Sequence, residues 1–259
     1  MTVSYIDAHC HLAHPRLASD LEAVLSRAKQ AAVEVIICAA GNLQESRQAA
    51  RLSERYPNVY CLAGVHPHDA RLASEGYLHE LQALAGHPRC VAIGEIGLDY
   101  HYDFSPRDVQ RRIFGQQLEL AGRLGKPVVV HSREAFDETL AILADSNVPP
   151  ARVVLHSFTE GPDAARRAME LGMAVSFSGI VTFHRASPLR EAARLAADDR
   201  LLTETDAPYL SPEPVRKMKT NEPANVAHVA ALLARVRNVP LADMAQQVRL
   251  NARRLFGVQ

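Results

Sequence analysis

Short apolar runs alternate with amphipathic helical patterns along nearly the whole sequence. The runs are rich in Val, Ile and Leu, which is typical of parallel strands covered by helices. Eight strands are predicted at 5–10, 34–40, 59–66, 90–98, 127–131, 152–158, 173–179 and 200–206. Helices are predicted at 17–32, 43–55, 106–124, 134–145, 161–171, 187–197, 222–237 and 240–254. An eightfold alternation of strand and helix predicts an α/β fold, a TIM-type (β/α)8 barrel.

An open, doubly wound sheet is the alternative fold. Such a sheet normally carries a glycine-rich phosphate loop after its first strand, and "HCHLAHPR" contains no glycine. The sequence has no Pro-, Gly- or Ser-rich linker and no low-complexity tract. Barrels of this size commonly form one domain, so residues 1–259 are expected to be a single domain.

The helix predicted at 106–124 has the clearest boundaries. Ser105 is expected at its N-cap, Pro106 at its first position and Asp108 at its third. Gly125 is expected to end it in a left-handed turn. The apolar stripe of this helix is predicted to comprise Val109, Ile113, Leu118, Ala121 and Leu124.

Charge and cysteine content narrow the functional class. The 29 basic and 29 acidic residues cancel, which argues against a generally basic nucleic-acid coat but leaves a local basic cleft possible. The four cysteines form no C-x-x-C pair, and no segment has the ~20 apolar residues of a membrane span. The start of the chain lacks a signal-peptide pattern. We expect a soluble, reduced, cytoplasmic monomer.

Polar residues of the kind that bind metals collect at the predicted strand ends. Active sites of barrels form at the carboxyl ends of the strands. Half of the twelve histidines fall there, together with Glu95 and Asp206: His9, His11, His66, His68, His131 and His156. The other six are expected to be ordinary surface residues: His14, His79, His87, His101, His184 and His228.

This mixture of imidazoles and carboxylates predicts a site for two divalent ions. His9 and His11 share one strand face and are expected to bind one ion with Glu95 and Asp206. Glu95 has two oxygens, so it can bridge to a second ion held by His131 and His156. Zn²⁺, Mn²⁺ and Mg²⁺ are all compatible with such ligands.

Each residue also has a simpler explanation. His131 and His156 could be hydrogen-bonded histidines without a ligand role, Glu95 could pair with an arginine, and Asp206 could cap a helix. Together these simpler explanations would require five separate coincidences, one at each of five strand ends, so the metal site is the better explanation. Asp7 shares the face of His9 and is expected to support a ligand histidine by a hydrogen bond.

Eight blocks along the chain resemble the TatD family of metal-dependent deoxyribonucleases, a branch of the amidohydrolase-like barrels. In order they are "DAHCHL", "GVHPH", "GEIGLDYHYD", "HSREAFDETL", "HSF", "SFSG", "LLTETDAPYL" and "NEPANV". The resemblance implies a distorted barrel and metal-dependent hydrolysis of DNA phosphodiesters. It assigns His9, His11, Glu95 and Asp206 to one ion, and Glu95, His131 and His156 to the other. The chain departs from the family pattern at "LAH" and at "SPEPVRKMKTNEP".

The resemblance suggests roles for residues around the metal site. Glu95 and Asp206 are the expected catalytic residues, with Asp206 orienting the attacking water and accepting its proton. His66 is expected to meet a substrate phosphate. Arg133 is a weaker candidate, for which a surface ion pair is the somewhat better explanation. Arg216, Lys217 and Lys219 could guide a single strand, or form a solvated charge run.

The leading hypothesis is therefore a 3′-to-5′ exonuclease acting on single-stranded DNA. One alternative is a barrel hydrolase of an ester or amide, such as a mischarged aminoacyl-tRNA or a small metabolite, because the same dinuclear site serves acyl transfer. Another is a binding module that keeps the metals without catalysis.

Overall fold

The computed structural model describes residues 3–259. Over this range the chain is an α/β structure with eight strands in one sheet, whose order follows the chain from β1 to β8. The strands are β1 (Tyr5–Cys10), β2 (Val33–Cys38), β3 (Val59–Ala63), β4 (Cys90–Asp99), β5 (Val128–Arg133), β6 (Val153–Leu155), β7 (Ala174–Phe177) and β8 (Leu201–Thr203). This is the strand order of a (β/α)8 barrel, so the predicted fold class is confirmed.

Helices separate successive strands and follow the last one. They are α1 (Pro15–Ala18), α2 (Leu21–Gln30), α3 (Leu43–Arg55), α4 (Tyr77–Ala85), α5 (Arg107–Leu124), α6 (Phe136–Ala144), α7 (Pro162–Glu170), α8 (Ser187–Leu195), α9 (Val226–Arg237) and α10 (Leu241–Phe256). The helix predicted at 17–32 is two helices, α1 and α2. The predicted helices do not include α4, whose start carries no capping signal because Gly76 precedes it without a side-chain cap.

The chain divides into two compact units. The first comprises the described residues up to Ile37 together with Ser157–Gln259, and the second comprises Cys38–His156. The first unit holds β1, β7, β8 and almost all of β2, and the second holds β3 to β6. The single domain expected over residues 1–259 stays a prediction.

In the second unit, β3 to β6 pair in parallel, and β4 carries a bulge. Ile93 pairs with Val128 and Ile96 with Val130, so β4 has one residue more than β5 over this stretch. Glu95 lies inside the bulge rather than at the strand end predicted for it. Bulges change the direction of side chains. This bulge takes Glu95 out of the regular alternation of β4 side chains between the two faces of the sheet.

Helix α5 packs against β4 and buries Phe114 completely. The prediction of Ser105 as its N-cap is wrong: Pro106 occupies the N-cap position in an extended conformation, and the helix begins at Arg107. Gly125 ends the helix in the left-handed region, as predicted, with φ of 62°. The predicted stripe is correct for its three central members and wrong at both ends, where Val109 is half-buried and Leu124 is exposed.

In the first unit, the end of β1 lies beside the segment that follows β8. The backbone N–H of Asp206 donates to the carbonyl of His9 at 2.9 Å, and the N–H of His11 donates to the carbonyl of Ala207 at 2.8 Å. These two bonds carry the parallel ladder past the end of β8. They bring the histidine pair of β1 to the same level as Asp206.

All four cysteines are buried thiols, as expected for a reduced protein. Among residues 3–259, no helix combines the length and the apolar character that crossing a bilayer requires.

We expect Gly97→Ala to destabilise the protein. Gly97 has φ of 138°, and a Cβ there would overlap the carbonyl oxygen of His131 on β5. A side chain in such a conformation costs roughly 1–3 kcal/mol, so the free energy of unfolding should fall by about 2 kcal/mol or more in urea melts.

Gly115→Ala in α5 is the matched control. A Cβ at Gly115 would meet no heavy atom within 4 Å, so alanine should raise the free energy of unfolding by roughly 0.5–1 kcal/mol. Equal midpoints for the two variants would contradict the role given to Gly97.

Candidate metal centre

The second unit contains a buried carboxylate surrounded by three imidazoles. The Oε1 atom of Glu95 lies 2.8 Å from Nε2 of His156, 3.1 Å from Nε2 of His66 and 3.2 Å from Nδ1 of His131. Glu95 is 3% exposed, so water contributes little to its solvation. Burial alone would raise the pKa of Glu95, but its interactions with the surrounding imidazoles, His156 foremost, outweigh it, and the pKa lies well below its ordinary value.

Asp99 completes this cluster, and sequence reasoning missed it. Its Oδ2 atom lies 2.9 Å from Nε2 of His131 and 2.9 Å from Nε2 of His68. The carboxylate is fully buried. Burial alone would raise its pKa, but the hydrogen bonds from His131 and His68 outweigh that effect and hold the pKa below its ordinary value. The signal was present in "GLDY", where Asp99 closes the strand that carries Glu95.

The bond to Asp99 fixes which nitrogen of His131 faces the cluster. A carboxylate accepts only, so Nε2 of His131 carries the proton and Nδ1 turns its lone pair toward Glu95. This is the carboxylate–histidine arrangement that orients metal ligands. Burial opposes charge on His131, yet in the protonated ring both nitrogens donate, Nε2 to Asp99 and Nδ1 to Glu95, and these hydrogen bonds raise the pKa of His131 above its ordinary value.

In His66 the arrangement is reversed, and the ring nitrogen that faces Glu95 carries the proton. Its Nδ1 accepts the backbone N–H of His68 at 3.1 Å, so the proton of the neutral ring is on Nε2, the atom that faces Glu95. Burial lowers the pKa of His66 to about 4, which keeps the ring neutral near pH 7. A neutral ring with Nε2–H is a hydrogen-bond donor toward an anionic oxygen. This agrees with the phosphate contact suggested for His66 better than with a ligand role.

Two buried glutamines of α5 hold the backbone on which the cluster depends. The amide of Gln117 accepts the N–H of Val65 at 2.8 Å and donates to its carbonyl at 3.0 Å, one residue before His66. The amide of Gln110 accepts the N–H of Asp99 at 2.8 Å and donates to its carbonyl at 3.1 Å. Each glutamine therefore bonds both backbone groups of one residue, as a neighbouring strand would.

The first unit contains a second cluster, made by β1 and the segment after β8. The Nε2 atoms of His9 and His11 are 3.4 Å apart, and they lie 3.9 Å and 3.5 Å from Oδ1 of Asp206. His9 is fully buried, whereas the side chains of His11 and Asp206 are 16% and 15% exposed. The cluster is thus open to solvent on the side of His11 and Asp206.

Asp7 supports this cluster in two ways: it accepts the backbone N–H of the ligand histidine His9 at 3.4 Å, and it contacts the residue next to Asp206. Its carboxylate accepts the N–H of Thr205 at 2.8 Å and the hydroxyl of Thr205 at 2.6 Å. Asp7 is fully buried, and this burial raises its pKa to about 8. The contact holds the residue next to Asp206, and not the ring of a ligand histidine.

The basic residues expected to meet substrate are Arg133 in the second unit and the loop of Arg216, Lys217 and Lys219 in the first. Arg133 ends β5, and its guanidinium lies over the ring of Tyr102, 4.9 Å from the centroid, so the proposed surface ion pair is not what the structure records for it. Lys217 and Lys219 are exposed on a loop held by the bond from the Ser211 hydroxyl to the Met218 carbonyl, 2.8 Å long. Arg216 of the same loop lies over Phe183.

The histidines expected at the surface are outside both clusters. His79, His101 and His184 are exposed, and His14, His87 and His228 are half-buried. His68 lies at the predicted rim, but no role was assigned to it from the sequence. Its bond to Asp99 connects it to the cluster of Glu95.

The spacing of the imidazoles fits divalent metal. Two nitrogens bound to one tetrahedral zinc ion lie about 3.3 Å apart, given Zn–N bonds of about 2.0–2.1 Å. The His9–His11 pair and the His131–His156 pair both have nitrogens 3.4 Å apart. Each pair faces a carboxylate oxygen, Asp206 in the first unit and Glu95 in the second. Mixed nitrogen and oxygen donors of this kind suit Zn²⁺ and Mn²⁺ and admit Mg²⁺.

Comparison with known proteins agrees with this chemistry. The family model described as TatD related DNase matches residues 6–257. A metal-dependent hydrolase of Bacillus subtilis is 36% identical over 252 residues, covering 97% of this chain and 98% of the relative. A protein of Edwardsiella piscicida named a 3′-5′ ssDNA/RNA exonuclease is 38% identical over 258 residues, covering 97% and 98%.

A solved structure gives the same result for the fold. The crystal structure of a TatD homolog from Escherichia coli K12 matches with a TM-score of 0.93 and 33% identity, over 98% of each chain.

We expect Asp99→Asn to weaken metal binding. The amide no longer imposes the Nε2–H form on His131, so Nδ1 is less often available as a ligand. Loss of a hydrogen-bond partner behind a metal ligand typically costs about 10–100-fold in affinity, which calorimetric titration of the metal-free protein with Mn²⁺ or Zn²⁺ would measure.

Asp103→Asn is the matched control, because Asp103 is an exposed carboxylate four residues away that pairs with Arg107. It should leave the affinity unchanged. An affinity for Asp99→Asn equal to that of the control would remove Asp99 from the site.

Proposed function

The chain belongs to the family of TatD related DNases, and from this premise we propose that it is a divalent-metal-dependent hydrolase that removes nucleotides from the 3′ end of single-stranded nucleic acid. The observation that carries the proposal is the repeated pairing of two imidazole nitrogens 3.4 Å apart with a buried or half-buried carboxylate. The names of relatives support the substrate class, since one is called a 3′-5′ ssDNA/RNA exonuclease.

The proposed ligand set is the one predicted from the strand ends. His9, His11 and Asp206 would hold one ion and His131 and His156 the other, with Glu95 as the carboxylate assigned to both. Two bound divalent ions would neutralise negative charge on the phosphoryl oxygens. They would also lower the pKa of a bound water, so that hydroxide is available to attack phosphorus near neutral pH.

The protein's own groups supply orientation and proton transfer. Asp206 is partly exposed and faces His11, so it can accept a proton from the attacking water and return it to solvent. His66 donates from Nε2 to a non-bridging phosphate oxygen, a role supported by its neutral ring and the bond at its Nδ1. Arg133 adds a positive charge beside the substrate, held by its contact with Tyr102.

A cytoplasmic location and a monomeric state belong to the same proposal. Four buried thiols support a reducing compartment. DNA and RNA both offer the phosphodiester that the clusters would cleave.

We expect His131→Ala to lower kcat/KM on a single-stranded oligonucleotide at least about a hundredfold, because loss of even an indirect metal contact costs about 10–100-fold. The metal content of the purified variant should fall from two ions to one. His79→Ala, an exposed histidine of α4 in the same unit, is the control and should match the wild type.

A normal rate in His131→Ala would exclude the second metal site. Melting curves establish that both variants are folded. Release of an amino acid from charged tRNA, without release of nucleotides from DNA, would favour the ester-hydrolase alternative and contradict the proposal.

We expect Lys217→Gln with Lys219→Gln to flatten the salt dependence of oligonucleotide binding. Each phosphate contact on a single strand contributes about 0.7 to the slope of log affinity against log salt, so the slope should fall by up to about 1.4. Lys29→Gln with Arg51→Gln removes two exposed charges elsewhere and should leave the slope intact. An unaltered slope in the first double variant would place the loop away from the substrate path.

A further inference from the structure

Two aromatic rings stand exposed beside the cluster of Glu95, and the metal chemistry does not use them. Tyr102 is 47% exposed and Phe104 is 55% exposed. Their rings are stacked, with centroids 5.2 Å apart and planes inclined by 22°. Large aromatic rings usually contribute to a core, and a contiguous exposed pair is characteristic of a binding surface.

The pair lies one ring away from the proposed ligands. His68 packs edge-on against both rings, with centroids 5.5 Å from Tyr102 and 4.8 Å from Phe104. The centroid of His68 is in turn 6.1 Å from that of His131. A nucleotide whose phosphate lay at the cluster would have its base within reach of this pair.

The segment that carries the rings is anchored at both ends. Before the rings, Oδ1 of Asp99 accepts the N–H of His101 at 3.1 Å and that of Tyr102 at 2.9 Å. After them, the hydroxyl of Ser105, fully buried, donates to the carbonyl of His68 at 2.9 Å. The exposed rings are therefore held in place, and little conformational entropy would be lost when a ligand packs on them.

The charge at this position also fits a nucleic acid. The guanidinium of Arg133 lies over the Tyr102 ring, 4.9 Å from its centroid. A planar cation next to aromatic rings is the combination that binds unpaired bases and the phosphates between them. A partner protein could also cover two rings, but it would not need their proximity to a phosphodiester-cleaving centre.

We propose that Tyr102 and Phe104 form a stacking platform for an unpaired base of the substrate, with Arg133 contacting the adjacent phosphate. The platform rests on the proposed function and deepens it, because it selects single strands: a paired base has no face to offer. Phe104 is the more exposed ring and is the expected main contact.

The test compares binding of two single strands by the Mn²⁺-loaded protein. One is a phosphorothioate-linked strand of deoxyadenosines, which resists hydrolysis, and the other is the same backbone without bases. The wild type should bind the strand with bases about tenfold more tightly, the size expected for one stacked base. Phe104→Leu should abolish this preference, and Phe104→Trp should preserve it.

Tyr56→Leu is the matched control. Tyr56 also has an arginine over its ring, Arg55 at 5.1 Å, but it precedes β3 whereas His66 follows that strand. Its variant should keep the wild-type preference. A preference that survives in Phe104→Leu would overturn the platform. So would a protein partner that covers Phe104 and is displaced by neither of the two strands.

Fluorescence gives a second readout that does not depend on activity. The chain contains no tryptophan, so Phe104→Trp introduces a single tryptophan whose fluorescence can be followed. Its emission should be quenched by the strand with bases and not by the base-free strand, and a Tyr56→Trp emitter should respond to neither. Equal responses to both strands would contradict stacking.

The two proposals fail in different ways. A wild-type protein that neither binds nor hydrolyses single strands with Mn²⁺ would contradict the proposed function. A wild type that hydrolyses them without distinguishing the two backbones in binding would contradict the platform alone.

Discussion

The structure depends on how a buried carboxylate is compensated. Glu95 lies among three imidazoles with its oxygen 2.8–3.2 Å from their nitrogens. An unpaired carboxylate at this depth would destabilise the fold by several kcal/mol, so the four groups must be placed together. The three imidazoles lie within three residues of the ends of β3, β5 and β6, and Glu95 lies in the bulge of β4. The parallel sheet therefore does what a flexible loop could not: it fixes four charged or polar side chains at a common level.

Holding those side chains requires polar groups that have no direct part in the chemistry. Gln110 and Gln117 bond both backbone groups of Asp99 and Val65, and Asp99 in turn orients His131. In the first unit, Asp7 accepts the backbone N–H and the hydroxyl of Thr205, next to Asp206. The contacts of the glutamines and of Asp7 are buried and that of Asp99 with His131 is partly buried, so they are little weakened by competition with water. The clusters are therefore rigid before any ion or substrate arrives, which is what precise catalysis by positioned groups requires.

The sequence predicted the strands and the metal-type residues well for one physical reason. Parallel strands are apolar and continuous, so a histidine or acid that ends one is conspicuous, as at His131 and Asp206. The supporting residues left no such signal. Gln110 and Gln117 lie on a helix face that apolar periodicity assigns to other residues, and Ser105 looks like a helix cap although Pro106 takes that position. The bulge at Glu95 arises from pairing with β5, which local sequence does not encode.

The absence of net charge, with 29 basic and 29 acidic residues, bears on how such a protein can bind a polyanion. No long-range field concentrates nucleic acid at its surface, so affinity must come from short-range contacts near the clusters. The proposed ionic contacts of Lys217, Lys219 and Arg133 would weaken as salt rises, whereas the proposed stacking on Tyr102 and Phe104 would displace no counterions and keep its strength. With such stacking, a neutral protein would retain its substrate at ionic strengths where a purely electrostatic groove would release it. It would also discriminate against duplexes, whose phosphates are denser but whose base faces are covered.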